Sequence, residues 1–431
     1  MKAFFESKWF PIIAYLVTMV CWYFQIQLPT ICFAAASIIL IIVSGAKRIN
    51  IVTLIFAGII SYRTTSYEGN FWPFLIAGLI VVPLSVYDLV RRKASLKDPI
   101  FIALALCFLS GLVSLVNVKR EYLNYGIAGI FQPLIFAYLY LYLWNSKEKE
   151  DFRRVSESAT WLSVAITLQV VIFLLTYEGQ VLGKRINLGW SSTNSLAMMY
   201  LLLFPLTLYL YLDKGEWYVL PILGLDVAAL FLTLSKGAYL AFAILLIPFL
   251  VYVYKDINNK RQFLYGILMF AVFAVLALGV MFAIPSIREG ALEYLRKMSE
   301  RGWFNDKARI EIYRYGAEVF KRYPLFGSGI YTAKPYLIEK GYSPELKHYH
   351  NYVIQCLATV GVFGLLAFGN FILQIFRKAW KHPYNIAVAF AAAAMLLHGL
   401  VDNTWHNPII MTVMTVYLAF LVDGKKIDSK Q

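Results

Sequence analysis

Apolar residues run through this chain in long unbroken blocks rather than in alternation. Fourteen blocks stand out, at 9–27, 29–44, 49–66, 72–90, 99–117, 124–144, 158–177, 194–212, 217–234, 237–254, 263–284, 351–376, 385–404 and 407–423. Blocks of about 18 or more apolar residues with few charges have the length of a membrane-crossing helix. Lipid offers no hydrogen-bond partners to the backbone, so only helices and closed barrels span it. A barrel strand alternates apolar and polar positions, and these blocks do not. The pattern predicts an all-α polytopic membrane protein with about 14 transmembrane helices. The second and third blocks are short, so 12–14 spans bracket the count. The organisation expected is transmembrane helices 1–11 within 1–284, a large loop at 285–350, and helices 12–14 with a tail within 351–431.

Composition agrees. Of 431 residues, 60% are hydrophobic and 15% charged, against about 45–50% and 25% in soluble domains. That excludes a soluble globular enzyme, a disordered chain and a disulfide-stapled secreted scaffold. The formal charge of +15 would suggest nucleic acid in a soluble protein. Here loop topology accounts for it, and no nucleic-acid partner is expected. With the N-terminus inside, the inward segments hold 22 of the 40 Lys and Arg, the short outward loops six, and the 285–350 loop twelve. Long loops translocate regardless of charge, so 22 against 6 sets the orientation, with both termini cytoplasmic. The first block is too long for a signal-peptide core and lacks a small-residue cleavage site. The four cysteines fall in or beside spans without metal-ligand spacing, which suits packing. No Walker or dinucleotide fingerprint occurs.

The outward charges break the pattern. Lys184 and Arg185 sit in the loop 178–193, and Lys236 lies in the LTLSKGAY turn between two spans with almost no loop. An ionisable group there is costly, which marks a functional candidate, although a lysine can also snorkel to the headgroups. The large loop predicts two basic amphipathic helices in the membrane interface. The first covers 286–301. The second covers 307–323, with Ile310, Tyr313, Ala317 and Phe320 on its apolar face. Next comes HYHN, with His348, His350 and Asn351 at the start of a span. These histidines suit a general base or substrate-orienting pair, interface polar residues, or metal ligands, the last without an evident third ligand. His398, Asp402 and His406 recur every four residues, which would place them on one helix face, with Asp402 orienting His398 or all three forming a polar seam. Asp226 lies alone inside a span. A cationic cluster at a membrane edge suits a phosphate or pyrophosphate headgroup.

Four segments carry a family resemblance: GKRINLGWSSTNSLA (183–197), LSKGAYLA (234–241), ARIEIYRYGAEVFKRYPLFGSGIYT (308–332) and HYHNYVIQCLATVGVFGLLAF (348–368). They are similar, in this order, to an Arg-Gly-Asn pattern before a span, a Ser-Arg-Gly-Ala turn, an arginine opening a loop helix that ends in Pro-Leu-Phe-Gly-x-Gly, and a His-Asn pair opening a span with Gly-x-x-Gly. The chain resembles the bacterial O-antigen ligase / O-antigen polymerase superfamily of lipid-linked polysaccharide glycosyltransferases.

The resemblance implies transfer of a glycan from undecaprenyl pyrophosphate to an acceptor sugar hydroxyl on the outer face of the inner membrane. It implies no nucleotide sugar, no metal and no cofactor. The partners implied are the lipid-linked glycan donor, a glycolipid or growing glycan acceptor, and membrane lipids. His350 matches the family histidine before Asn and would activate the acceptor hydroxyl. Arg309 and Arg185 match family arginines and would bind the pyrophosphate. Lys236 stands where the family commonly has arginine, keeping charge without the planar fork. Lys184, Asn194, His348 and Asn351 fall in the same motifs as candidate substrate-binding residues. Direct displacement would invert the anomeric configuration. Ligase and repeat-unit polymerase remain alternatives within the family. A solute or ion transporter and an assembly scaffold are the alternatives outside it. The lack of inverted repeats speaks against transport.

Overall fold

A computed structural model of the chain describes residues 1–61, 71–148, 151–176, 186, 188–190, 192–256, 259–285, 287–290, 292, 293, 296 and 307–422. Every one of the fourteen apolar blocks contains a helix. The described chain divides into two compact units.

The first unit comprises 1–94 and 142–301. A short α1 (Lys2–Phe5) precedes α2 (Trp9–Phe24), α3 (Leu28–Val43), α4 (Asn50–Ile59) and α5 (Phe71–Arg91). Most of α7 (Leu123–Ser146) belongs to the second unit. Then come α8 (Asp151–Thr176), α9 (Thr193–Lys214), α10 (Val219–Leu232), α11 (Lys236–Asp256) and α12 (Lys260–Ala283). The core of this unit is α9, 94% buried over its apolar window and packed by α8, α10 and α11. Ser192 caps its N-terminus, and Gly215, left-handed at φ 70°, ends it as C-terminal glycines do. Arg48 is buried and grips Asp88 in a fork, Nε to Oδ2 and Nη2 to Oδ1 both at 2.9 Å, so neither charge is left alone.

The second unit comprises 95–141 and 302–431. It holds α6 (Pro99–Ser114), α13 (Lys307–Arg322), α14 (Ala333–Glu339), α15 (Tyr352–Ala379), α16 (Ile386–Gly399) and α17 (Pro408–Ala419). Asp98 before Pro99, Asn351 before Tyr352, and Asn407 before Pro408 each accept amide hydrogens from the first turn of the helix that follows, the role that Asp and Asn fill best. Seven of the described helices are long and apolar enough to cross a membrane, and six are apolar but shorter. The protein is an all-α, polytopic membrane protein.

The centre of the second unit is α15, against which α6, α13 and α16 pack. It is broken at Gly361, whose φ of 67° and ψ of −165° only glycine adopts freely. The 324–329 turn fills the break. Ser328 and Gly329 donate their amides to the carbonyls of Ala358 and Thr359 at 2.9 and 2.8 Å. Val362 and Phe363 donate theirs to Pro324 and Leu325 at 2.9 and 3.1 Å. Irregular backbone at membrane depth survives only when its polar groups are satisfied in this way. The approach is too close for side chains: a Cβ on Gly361 would lie 2.3 Å from the Leu325 carbonyl oxygen, and one on Gly327 2.2 Å from the Thr359 carbonyl carbon. The Pro-Leu-Phe-Gly-x-Gly and Gly-x-x-Gly motifs are thus two halves of one backbone clasp.

The predicted loop helix 307–323 is α13. Its buried face is Ile312, Tyr315, Gly316 and Val319, not the expected Ile310, Tyr313, Ala317 and Phe320. The reason is a second apolar stripe. Ile312, Tyr315 and Val319 pack with Tyr336, Leu337, Tyr349 and Ala358 in a buried cluster, while Ile310 stays 45% exposed. Most of the other predicted helix, 286–301, lies outside the described residues.

Candidate active site

Within the second unit, three segments converge on one carboxylate. α13 brings Arg309, the segment before α15 brings His348, His350 and Asn351, and the turn after α16 brings Asp402. His350 Nδ1 stands 3.4 Å from Asp402 Oδ1, and His348 Nε2 stands 3.8 Å from the same oxygen. The Asn403 amide also donates to that oxygen, at 2.7 Å. Asp402 is the residue that sequence reasoning misplaced. Spacing of four suggested a shared helix face with His398 and His406, but α16 ends at Gly399, and a turn carries Asp402 to the histidines of the HYHN segment. No local signal could reveal a partner so distant in sequence.

The turn bearing Asp402 is held by two of the predicted residues. Arg309 Nη1 donates to the Val401 carbonyl at 3.1 Å, and Asn351 Nδ2 donates to the Leu400 carbonyl at 2.9 Å. The other end of the Asn351 amide caps α15, its oxygen accepting from the Ile354 amide at 3.0 Å. His350 itself is left-handed, with φ 53°, a backbone state uncommon for a residue bearing a Cβ. It is fastened on both sides. Its carbonyl accepts from the Tyr313 hydroxyl at 3.0 Å, and its amide donates to His348 Nδ1 at 3.3 Å. Tyr313 was not a predicted site residue. Its position four after Arg309, on the same helix face, was the available signal.

Electrostatics follow from this packing. Burial pushes the His348 ring down to about 4, outweighing the opposing pull of Asp402. Burial alone would raise the Asp402 carboxyl, but the His350 ring and the neighbouring His348 and His398 hold it well below the usual carboxylate range. The chemistry on offer is a carboxylate that orients an imidazole, the arrangement that readies a histidine to take a proton.

His348, His350 and Asp402 present two ring nitrogens and one oxygen within 4.8 Å, so the third group missing from the sequence pattern exists. The hydrogen bonds argue against a ligand set. Because His348 Nδ1 accepts an amide hydrogen, its ring proton sits on Nε2, where a metal would need a lone pair. The cluster is two imidazoles facing one carboxylate.

The remaining predicted residues lie in the first unit. Asn194 Oδ1, in the first turn of α9, accepts from the Ser235 hydroxyl at 3.0 Å, which ties α9 to the LSKG turn. Leu234 in that turn is left-handed at φ 55°, and Lys236, half-buried, opens α11. Lys184 and Arg185 lie outside the described residues. Asp226 is buried and accepts from the hydroxyls of Ser163 and Thr167, partners the sequence did not suggest.

No curated protein matches the chain. Residues 221–369 match the O-antigen ligase family, a stretch that contains the LSKG turn, α13, both halves of the backbone clasp and the HYHN segment. Over this stretch, about a third of its length, the chain is similar to the O-antigen ligase family.

Proposed function

We propose that this protein is a membrane glycosyltransferase that moves a glycan from undecaprenyl pyrophosphate to an acceptor sugar hydroxyl, in the manner of an O-antigen ligase. The reaction takes place on the extracytoplasmic side of a bacterial inner membrane, where the 285–350 loop faces. The observation that carries this reading is the His350–Asp402 pair beside Arg309, with His350 and Arg309 inside the stretch that matches the family.

In this reading Asp402 accepts the Nδ1 hydrogen of His350 and leaves Nε2 free as the base. Catalytic hydrogen bonds in unliganded enzymes are often long and tighten with substrate, which suits a 3.4 Å separation. His350 takes the proton of the acceptor hydroxyl as that oxygen bonds to the anomeric carbon. The bond to the pyrophosphate oxygen breaks on the opposite face, and the linkage inverts. Arg309 stabilises the charge on the departing pyrophosphate, and the family resemblance assigns Arg185, Lys236, Lys184 and Asn194 to the same task. Preorganised cations are most effective against charge that develops in the transition state. No step requires a metal.

The test gives purified full-length protein an undecaprenyl-pyrophosphate glycan and candidate acceptors in EDTA. Conjugate or polymer is expected from wild type and not from His350→Ala, and the acceptor that works separates ligase from polymerase. Equal activity of the two proteins would remove His350 from the mechanism. An EDTA-sensitive reaction would overturn metal independence.

A further inference from the structure

His348 was expected to touch substrate. Its contacts point elsewhere. Its ring edge faces the His350 ring, with centroids 4.3 Å apart and planes at 65°. Nδ1 accepts the His350 amide at 3.3 Å, and Nε2 faces Asp402 Oδ1 at 3.8 Å. One imidazole therefore reaches both members of the proposed catalytic pair, through its two different nitrogens.

We propose that His348 is a positioning residue that holds the His350 backbone in its left-handed turn and shares the Asp402 oxygen with the His350 ring. This rests on the reading of His350 as the base. The first half of the role follows from strain. A non-glycine residue at φ 53° relaxes toward extended backbone unless its peptide groups are held. Tyr313 holds the carbonyl and His348 the amide. If the amide is released, the ring swings away from Asp402. The second half follows from charge. A carboxylate stabilises a neighbouring imidazolium, and an N–H from His348 on the same oxygen weakens that effect. His348 thereby tempers the charge that Asp402 presents to the His350 ring. The other charged and titratable groups around the cluster are Arg309 on α13, Lys347 on the same segment, and His398 and His406 flanking the Asp402 turn. The test leaves them unchanged.

Two amides separate the two halves. In His348→Asn the side-chain oxygen falls near the place of Nδ1, so the His350 amide keeps its acceptor while the ring nitrogen that faces Asp402 at 3.8 Å is removed. In His348→Gln the side-chain nitrogen falls near the place of Nε2, so Asp402 keeps its donor. Full-length protein in nanodiscs would be compared as wild type, His348→Ala, His348→Asn and His348→Gln, with transfer kinetics across pH. Hydrogen–deuterium exchange at the histidine ring C2 would be read by mass spectrometry, which reports the titration of His350 without any turnover. His348→Ala is expected to lower kcat about 10- to 100-fold with donor KM within about twofold, since a loosened catalytic geometry costs rate more than binding. His348→Asn recovers most of that rate. In His348→Asn, where the ring stays beside Asp402, the acid limb of kcat and the exchange midpoint of His350 move to higher pH, because Asp402 then favours the protonated ring undiluted. His348→Gln, which releases the His350 amide, is expected to lose rate as His348→Ala does.

An unmoved His350 midpoint in His348→Asn, or a rate in His348→Asn no better than in His348→Ala, would overturn the proposal. So would a donor or acceptor KM raised more than tenfold with kcat intact, which would make His348 a substrate contact. If wild type transfers no glycan to any acceptor, the glycosyltransferase reading fails, while the exchange midpoints still decide whether His348 tunes His350.

Discussion

His350 Nδ1 and Asp402 Oδ1 stand 3.4 Å apart, brought together by a turn just beyond the end of α16 and by the segment just before α15. In the proposed mechanism the carboxylate fixes which ring nitrogen carries the hydrogen. Asp402→Asn keeps the size and removes the charge, and its amide can present a donor where His350 needs an acceptor. The expected result is a loss of about 10²-fold or more in kcat, the scale of a positioned general base, with donor KM little changed. Steady-state transfer kinetics check it, and a rate within twofold of wild type would remove Asp402 from the proposed mechanism.

Arg309 presents a planar fork whose Nη1 holds the Val401 carbonyl, the residue before Asp402. In the proposed mechanism the same guanidinium also serves the pyrophosphate. Arg309→Lys keeps one charge but cannot do both. It is expected to lower kcat about 10-fold or more, and Arg309→Ala about 10²- to 10³-fold, the range seen when one charge-stabilising donor is removed. Equal rates for the two variants would mean that charge at this position is irrelevant.

Stability should fall on mild acidification. His348 and His406 are both pushed down to about 4 by burial, whereas an unfolded histidine titrates near 6.5. Between those values the unfolded chain binds more protons than the folded one, so unfolding becomes easier as pH drops through this window. The apparent Tm in detergent is expected to decline from pH 6.5 toward pH 4, and less steeply in His348→Gln. A flat profile would show that these rings are not buried in their neutral form.

Gly361→Ala is expected to destabilise the fold by about 3 kcal/mol, combining a left-handed alanine with main-chain overlap. Gly327→Ala should behave alike, because its Cβ would strike the other side of the same contact. Gly369, in the same helix with open space around it, is the control: Gly369→Ala should be neutral or mildly stabilising, as alanine is in a helix. Thermal unfolding in detergent reads all three.

Much of the fold was legible because lipid imposes a strong and local rule. A continuous apolar block must become a helix, and each of the fourteen did. What escaped was non-local or two-sided. The face of α13 was misjudged because the helix carries two apolar stripes, and only the aromatic cluster around Tyr336 and Tyr349 decides which turns inward. At the site, the motif segments supplied His350, His348, Asn351 and Arg309, which the structure gathers around one turn. Asp402 was noticed as an ionisable residue near a membrane edge, but its spacing suggested His398, since periodicity assumes that a helix continues. Where a helix stops is set by tertiary context, and α16 stops three residues too early for that face to exist.

The interlocked backbone at Gly361 has a consequence for biosynthesis. While α15 is being released into the bilayer, its broken middle has no internal partner for the carbonyls of Ala358 and Thr359 or the amides of Val362 and Phe363. The segment that satisfies them, 324–329, is made earlier and must already be waiting nearby. Integration of this span is therefore a two-body event, ordered by synthesis. Once formed, the pair should stay associated even if the chain between them is cut. A nick in the exposed stretch around Ser343–Glu345 would leave two fragments that migrate together under native conditions and part only in denaturant.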